Sequence, residues 1–471
     1  MFNKYKIVLL AFTIMLTSSC KKSFLELAPA SNANAETFYK TQADMELAVN
    51  AAYSTLYTIY DPEGSVSYTS EMMGDNTTLY IIAGNQTDKF AFKDYNVKTN
   101  NTLVYSFWKS YYAALYTINI VLSKLDASEL DPAAKESAKA QMQFLRGLYY
   151  FNMVRLWGDL PIVVTPLTVE ETYKVARSPK ADVYKLILDD LEFAAQKLPA
   201  TALGRASQGA ALTALGEVYL TLKDKANATT ALMSVYSSNL YKLQNTYASV
   251  FGANVKNTTE SIFEIQYFGG PSSISTNTYS KYYRFYSPNV SVFGFGGIGM
   301  NQVTDDLYNE FEVGDPRREV SITLGFQNGA VFQEQKYPIK WIDPSATKVD
   351  NTVLANNNFM IYRFADVLLM LSEATGDPTY LNAVRARAGL PLFGTATYPA
   401  TKYPTLDLAI EHERRVELAI EFHRWFDLKR TDRAIPVLAA KGKPVTADKL
   451  LLPIPEIVRI QNTIITQNPG Y

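Results

Sequence analysis

Residues 207–238 read SQGAALTALGEVYLTLKDKANATTALMSVYSS, two apolar periods of helical spacing set almost end to end. Ser207 is a natural cap for the first, and small residues fall where two helices would touch, with aromatics where a groove needs filling. Such a pair leaves an apolar face that only a neighbouring pair can cover. Other segments supply neighbours. QADMELAVNAAYSTLYTIY (42–60) places Met45, Leu47, Ala48, Ala51, Ala52 and Leu56 on helical steps, and WKSYYAALYTINIVLSKLD (108–126) follows the same period. A third helix opens with Asp131 as cap and Pro132 in its first turn and ends at Gly158. Ser178-Pro179 start a fourth, closed by Pro199. FADVLLMLSEAT, a Gly376-Asp377-Pro378 turn and TYLNAVRARAGLP form a further pair. The chain is expected to be mainly α, built on stacked helical pairs.

Leu215-Gly216, Tyr219 and Ala228 have the offsets of a tetratricopeptide helix pair. Gly147 and Tyr150 echo them in the third helix, without a second helix close behind. Between about 240 and 360 the helical period disappears. SIFEIQYF (261–268) alternates like a strand, and Asn328-Gly329 between two β-like runs signals a hairpin. The stretch between them is rich in Gly, Ser, Asn and Tyr. Across the chain there are 32 Tyr, 24 Phe and 4 Trp, too aromatic for disorder, and a loop this long in a compact protein points to function. An irregular, partly β, aromatic-rich insert is therefore expected within the helical scaffold.

The chain begins MFNKYKIVLLAFTIMLTSSC, with Lys4 and Lys6, an apolar run from Ile7 to Leu16, small residues, and Cys20, the sole cysteine. This is the pattern of a secretory signal, with an apolar run too short to span a bilayer comfortably. A cysteine at the cleavage point resembles the lipobox of bacterial lipoproteins, with Thr17 where Leu is commonest. The expected organisation is a signal peptide over 1–19, lipid attachment at Cys20, a tether over 20–35 and one domain over 36–471. Within that domain the scaffold covers 36–240 and 360–435, the ligand-facing insert about 241–359, and a C-terminal segment 436–471. The formal net charge of -1 offers no field for nucleic acid.

EHERRVELAIEFHRWFDLKR (411–430) holds both histidines, His412 and His423, among dense charge. On one helix they would stand about 16 Å apart, too far to share a metal whose ligands lie within about 2–2.5 Å of it. His412-Glu413 begins like H-E-x-x-H, but Val416 occupies the second histidine position. Arg414, Glu417, Glu421 and Arg424 recur at three- and four-residue steps as a charge ladder. Apolar residues occupy two flanks of the same helix, so the charges are expected to be buried and paired, with Arg385 and Arg387 as partners. Asp189-Asp190 reads as a solvated helix surface and Asp305-Asp306 as the start or cap of a helix, within Thr304-Asp305-Asp306-Leu307. No G-x-S-x-G or G-x-x-x-x-G-K-[ST] motif occurs, and GFGGIG (294–299) lacks a strand-turn-helix setting. Neither catalysis, nor a cofactor, nor a metal is indicated.

Several stretches jointly resemble one family, in its order, over essentially the whole chain after Cys20. They include SFLELAPAS, ETFYKTQADMELAVNAAYSTLY, FWKSYYAALYTINIVLSKLD, QFLRGLYYFNMVRLWGDLPIVV, GRASQGAALTALGEVYLTLKD, IYRFADVLLMLSEA, ERRVELAIEFHRWFDLKR and LLPIPEIVRIQNTIITQNPGY. The family is the SusD/RagB outer-membrane nutrient-binding lipoproteins of Bacteroidetes. The resemblance implies about four tetratricopeptide-like pairs and a lipid-anchored protein at the outer membrane, facing outwards. It implies an oligosaccharide ligand and, as partner, a SusC-like TonB-dependent transporter that the lipoprotein caps. A peptide cargo, or a lid that binds only protein, stays open.

Sugars offer C–H faces to aromatic rings and hydroxyls to planar polar groups, which selects two regions. In 71–101, Asp75 and Asn76 supply polar groups and Tyr80, Phe90 and Tyr95 rings; the Asp75 neighbourhood alone aligns with the family's site. In the insert, Tyr279, Tyr282, Tyr283, Tyr286 and Phe293, with Trp341 beyond, are the candidates. Trp108 and Trp157 sit on helical periods and read as core.

Overall fold

Most of the long helices start where a side chain takes over their first free amides. The computed structural model describes residues 38–79, 86–288, 297–350 and 352–471; Cys20, the leader, the tether, Tyr80 and Phe293 lie outside them. Thr41 and Asp44 form a capping box on α1 (Gln42–Ser54). The short α2 (Ser65–Met72) leads into strand β1 (Thr77–Leu79). Helix α3 (Thr102–Lys124) starts six residues earlier than its apolar period suggests, because the Asn101 side chain accepts from the Leu103 and Val104 amides. Asp131 caps α4 (Pro132–Trp157) and Gly158, at φ 74, ends it. Helices α5 (Lys180–Lys197), α6 (Gln208–Thr221) and α7 (Lys225–Ser237) follow, the last two capped by Ser207 and Asp224.

The insert contributes β2 (Ser261–Ile265), β3 (Asn301–Val303), β4 (Ile322–Asn328), β5 (Val331–Pro338), β6 (Thr347–Val349), β7 (Thr352–Leu354) and β8 (Phe359–Arg363). Then come α8 (Phe364–Thr375), α9 (Pro378–Arg387), α10 (Leu406–Glu417) and α11 (Arg424–Arg430). The fold is mainly α, as expected.

Close approach of helices explains the small residues. A Cβ added to Gly216 would stand 2.4 Å from Leu232 Cδ2, so α6 and α7 touch through bare backbone. At Gly147 the added atom would meet Leu191 Cγ at 2.9 Å. The second helix that the Gly147 echo lacked in sequence is therefore α5, reached through the connection 158–179. Helix α7 packs on α8, so the stack crosses the insert and continues into α8–α9. Trp108 and Trp157 are buried, edge to face with centroids 5.3 Å apart.

The described strands pair antiparallel in twos. β4 and β5 form the hairpin around Asn328-Gly329, with Gly329 at φ 63. β2 pairs with β8, Ser261 opposite Arg363, and joins the start of the insert to its end. β1 pairs with β3, Leu79 opposite Asn301, and thereby brings the two ligand-candidate regions of the sequence to one place.

Asp189 and Asp190 part company. Asp189 is exposed beside Lys185 at 2.6 Å, but Asp190 is 1% exposed. Arg146 of α4 donates to it through Nε at 2.7 Å and Nη2 at 2.8 Å. A solvated reading fails for Asp190 because α5 turns that side onto α4.

Replacing Gly216 by Val should overpack the α6–α7 contact. Denaturant unfolding is expected to show a loss of about 1–3 kcal/mol, whereas Ala at Gly314, which has open space around its Cβ direction but φ 83, should act only through backbone strain.

Candidate ligand-facing site

The charged stretch 411–430 is not one helix. The chain leaves α10 after Glu417 and re-enters helix at Arg424, and Ile420 (φ 64) and Phe422 (φ 68) are left-handed between them. A β-branched residue there is strained unless its surroundings hold it. They do. Lys340 donates to the Ala419 carbonyl at 2.7 Å and to Glu421 at 2.8 Å, and the Trp341 indole donates to the Ile420 carbonyl at 2.8 Å. The 16 Å helical separation of the histidines therefore does not apply. Among the described residues no three His, Cys, Asp or Glu side chains group as a metal site.

The charges are buried and paired, but not along a ladder. Arg363, at the end of β8, is 1% exposed. It reaches Glu260 at 2.8 Å, Glu417 at 2.6 Å and Glu421 at 2.7 Å. Arg317 binds Asp315 at 2.8 Å and Glu417 at 2.9 Å, and also Glu413. Both expected partners are present: Arg385 meets Glu413 at 2.8 Å, and Arg387 meets Glu417. Against the opposing effect of burial, Arg387, Arg363 and Arg317 hold the Glu417 carboxyl well below its ordinary range. Arg414 instead pairs with Asp366 at 2.6 Å and Asp427 at 2.9 Å.

His412 is stacked on Tyr403 (centroids 3.9 Å) and held between two carboxylates. Its Nδ1 lies 2.8 Å from Glu310 and its Nε2 3.2 Å from Glu312. Burial favours the neutral ring, but hydrogen bonds to Glu310 and Glu312 outweigh it and raise the ring's pKa. Despite their own burial, both glutamates are pulled down to about 2, with Arg415 and Lys402 also acting on Glu310 and Arg385 on Glu312.

Most of the expected ligand groups face protein. Asp75 and Asn76 are each 2% exposed. Arg424 Nε binds Asp75 at 2.7 Å, Lys441 at 2.6 Å, and Arg415 Nε donates to Asn76 at 2.9 Å. Tyr95 is buried with its hydroxyl on the Met73 carbonyl. Tyr282, Tyr283 and Tyr286 lie in a short helix, Tyr282–Tyr286, tucked under the surface, and Trp341 is buried with them. Tyr282 stacks on Phe359 at 4.8 Å, and Phe359 on Phe422 at 4.6 Å. The expectation that these rings open to a ligand is corrected: they turn inward, where Tyr282 and Trp341 support the strained 418–423 turn and Tyr283 packs with Phe326 and Tyr337.

Tyr279 is the exception, half-buried at the surface. Beside it, the Phe268 amide donates to the Thr278 carbonyl at 2.8 Å, and the Phe268 ring is 67% exposed. Half-buried Tyr57 donates to the Gln266 carbonyl at 2.7 Å. Lys281 lies 5.7 Å from the Tyr279 ring centroid and 3.5 Å from Asp61. Burial raises the Asp61 pKa, with Lys281 pulling the other way. Alongside, Lys89 bridges Glu63 at 2.7 Å and the Met300 sulfur at 3.3 Å. Open aromatic faces thus stand next to carboxylate–lysine pairs. Sequence reasoning missed Asp61, Lys281 and Phe268; the signal was the Asp61-Pro62-Glu63-Gly64 turn directly after the first helix.

Two family models match, one described as starch-binding, associating with outer membrane, over residues 23–220, and one as SusD family over 332–471. The chain belongs to the SusD family. A SusD-like protein from Formosa agariphila, P2, is 28% identical over 520 residues, covering all of both chains. A SusD-like protein of Bacteroides ovatus is 25% identical over 92% of this chain and 84% of its own length. Among solved structures, a laminarin-binding SusD-like protein is 27% identical with a TM-score of 0.80, covering 92% of this chain and all of its own. Surface glycan-binding protein A of Bacteroides thetaiotaomicron, 24% identical with a TM-score of 0.80 over 92% of this chain and all of its own, shares the fold. In this SusD family member no described helix is long and apolar enough to cross a membrane.

Arg363→Met should leave Glu260, Glu417 and Glu421 short of a buried cation and lower urea stability by about 3–5 kcal/mol. For His412 the sign follows from a raised folded-state pKa. Its stabilisation is full below the ordinary 6.5 and is lost as pH rises through the folded value. That of Glu310 and Glu312 is full above 4.5 and lost as pH falls towards 2. Melting temperatures across pH 5 to 9 should therefore decline on the alkaline side in the parent protein, and the His412→Gln variant should flatten that decline.

Proposed function

We propose that this SusD family member is a lipid-anchored, outward-facing binding protein that captures an oligosaccharide without cleaving it and passes it to a SusC-like TonB-dependent transporter. Cys20 would carry the lipid. The observation that carries the reading is the exposed Phe268 ring beside half-buried Tyr279, with the Asp61–Lys281 pair next to Tyr279. Flat apolar faces take the C–H side of a sugar ring, and a carboxylate and an ammonium beside them take its hydroxyls. Such a shallow site binds weakly enough to release its cargo onward. The 27%-identical relative binds laminarin, which makes laminarin the first glycan to test on this chain.

Phe268 and Tyr279 begin and end the first long connection of the insert, so a ligand there meets the insert and, through Asp61, the helical scaffold. Tyr282 beneath it donates to the Tyr60 carbonyl, which ties the two layers together.

Affinity electrophoresis and calorimetry against laminarin and a panel of other polysaccharides test the reading. Phe268→Ala with Tyr279→Ala should weaken glycan binding tenfold or more, about 1.4 kcal/mol, with an unchanged circular dichroism spectrum, and Asp61→Asn should weaken it less. Undiminished binding in the double variant would place the ligand elsewhere. Binding of the transporter without any glycan or peptide would make the chain a protein-only lid.

A further inference from the structure

A cleft of about 860 Å³ opens between α4, α5, α6 and α11, away from the residues of the proposed glycan surface. Its walls include Tyr184, Leu188, Leu222, Phe426 and Leu450. Lys429 lines it as well, and its environment is unusual. The ammonium donates to the Arg155 carbonyl and to the Leu450 carbonyl at 2.6 Å, and stands 5.6 Å from the Trp425 ring centroid. No carboxylate among the described residues lies within ion-pair reach of it. The neighbouring cations differ: Arg155 has Glu217 at 2.6 Å, Lys185 has Asp189 at 2.6 Å, Lys223 has Asp432 at 2.9 Å, and Arg430 has Asp427 at 2.8 Å and also Glu373. Exposed Lys180 at the rim is a second cation without a described ion pair. Among the lining acids, Glu192 accepts from the Tyr219 hydroxyl at 2.7 Å.

An ammonium has three N–H positions. Two of those on Lys429 are fixed on backbone carbonyls, which leaves one. Burial, aided by the Arg155 charge, lowers its pKa to about 7, as expected for a cation taken out of water with no counter-charge. The cleft therefore combines apolar walls with an amine that lacks an anion.

We propose that this cleft binds a small organic carboxylate, its charged end on Lys429 and its apolar body against Tyr184, Leu188 and Leu222. The carboxylate could belong to an acidic sugar or to a free organic acid, and the chemistry of recognition is the same. Neutralising the charge around Lys429 favours its protonated form, so binding at pH 7.5 takes up a proton.

Calorimetry on the full chain, with glucuronate, benzoate and glucose as probes, tests this in two buffers of different ionisation enthalpy. At least one carboxylate should bind, with proton uptake, and glucose should not compete for the site. Glucuronate alone would assign the site to acidic sugars, and benzoate alone to free acids. Lys429→Met should weaken binding tenfold or more, and Lys429→Arg should retain most of it. Leu222 is 40% exposed, so Leu222→Glu at the wall keeps the fold and should also weaken binding tenfold. The Phe268→Ala, Tyr279→Ala variant should bind the carboxylate unchanged, which separates this site from the glycan surface. Carboxylates that bind no better than glucose, or equally well with Met at 429 and Glu at 222, would overturn the proposal.

Discussion

The guanidinium of Arg363 is the point on which the architecture turns. It sits where β8 becomes α8, and its partners come from the start of β2 (Glu260) and from the α10–α11 turn (Glu417, Glu421). Removing such charges from water costs more than a single ion pair returns, so the arrangement is stable only when every lone pair and proton is used. Arg317, Arg385, Arg387 and Lys340 complete the set. The result fixes three parts of the molecule against one another: the helical pairs, the mixed insert, and the C-terminal quarter. It also explains how Ile420 and Phe422 can be left-handed. Carbonyls displaced from helical bonding are taken up by Lys340 and Trp341, and Glu417, at the end of α10, and Glu421, within the break, are drawn to one arginine.

Local signals in the sequence were reliable where the chemistry was local. Asp131-Pro132, Ser207 and Asn328-Gly329 declare their elements because cap and turn residues act on neighbouring amides. The pairing of Arg385 and Arg387 with the carboxylates of the charged stretch was legible because no other outlet exists for such charge on a helix apolar on two flanks. What could not be read depended on distant partners. Asp190 becomes buried through Arg146, and Asp75 through Arg424 and Lys441, on different elements. No composition rule marks 418–423 as a break, since isoleucine and phenylalanine ordinarily avoid that backbone.

The tyrosines carry the same lesson. Their abundance suggested a binding surface, but a ring's amphipathic character serves a core equally well when its hydroxyl finds a carbonyl. Tyr282 and Tyr95 do this, on Tyr60 and Met73. The insert's aromatic wealth thus divides into an inner layer, which props up the strained turn, and a sparse outer layer around Phe268 and Tyr279. The proposed carbohydrate surface would draw on that inner layer as its floor, because few contacts leave little free energy to order a mobile loop.

The β1–β3 ladder and the Arg363 cluster share a property with consequences for biosynthesis. Thr77 pairs with Val303, and Arg363 with Glu417 and Glu421, so both join segments that leave the ribosome far apart in time. Until residues 413–421 emerge, Arg317 and Arg363 have only part of their countercharge, and the insert has no stable floor. The helical pairs can form early from local contacts, whereas the central assembly must wait for the last quarter of the chain. Folding is thereby coupled to completion: a truncated chain would keep its arginines hydrated and its insert open, a state distinct enough from the finished protein for quality control to recognise.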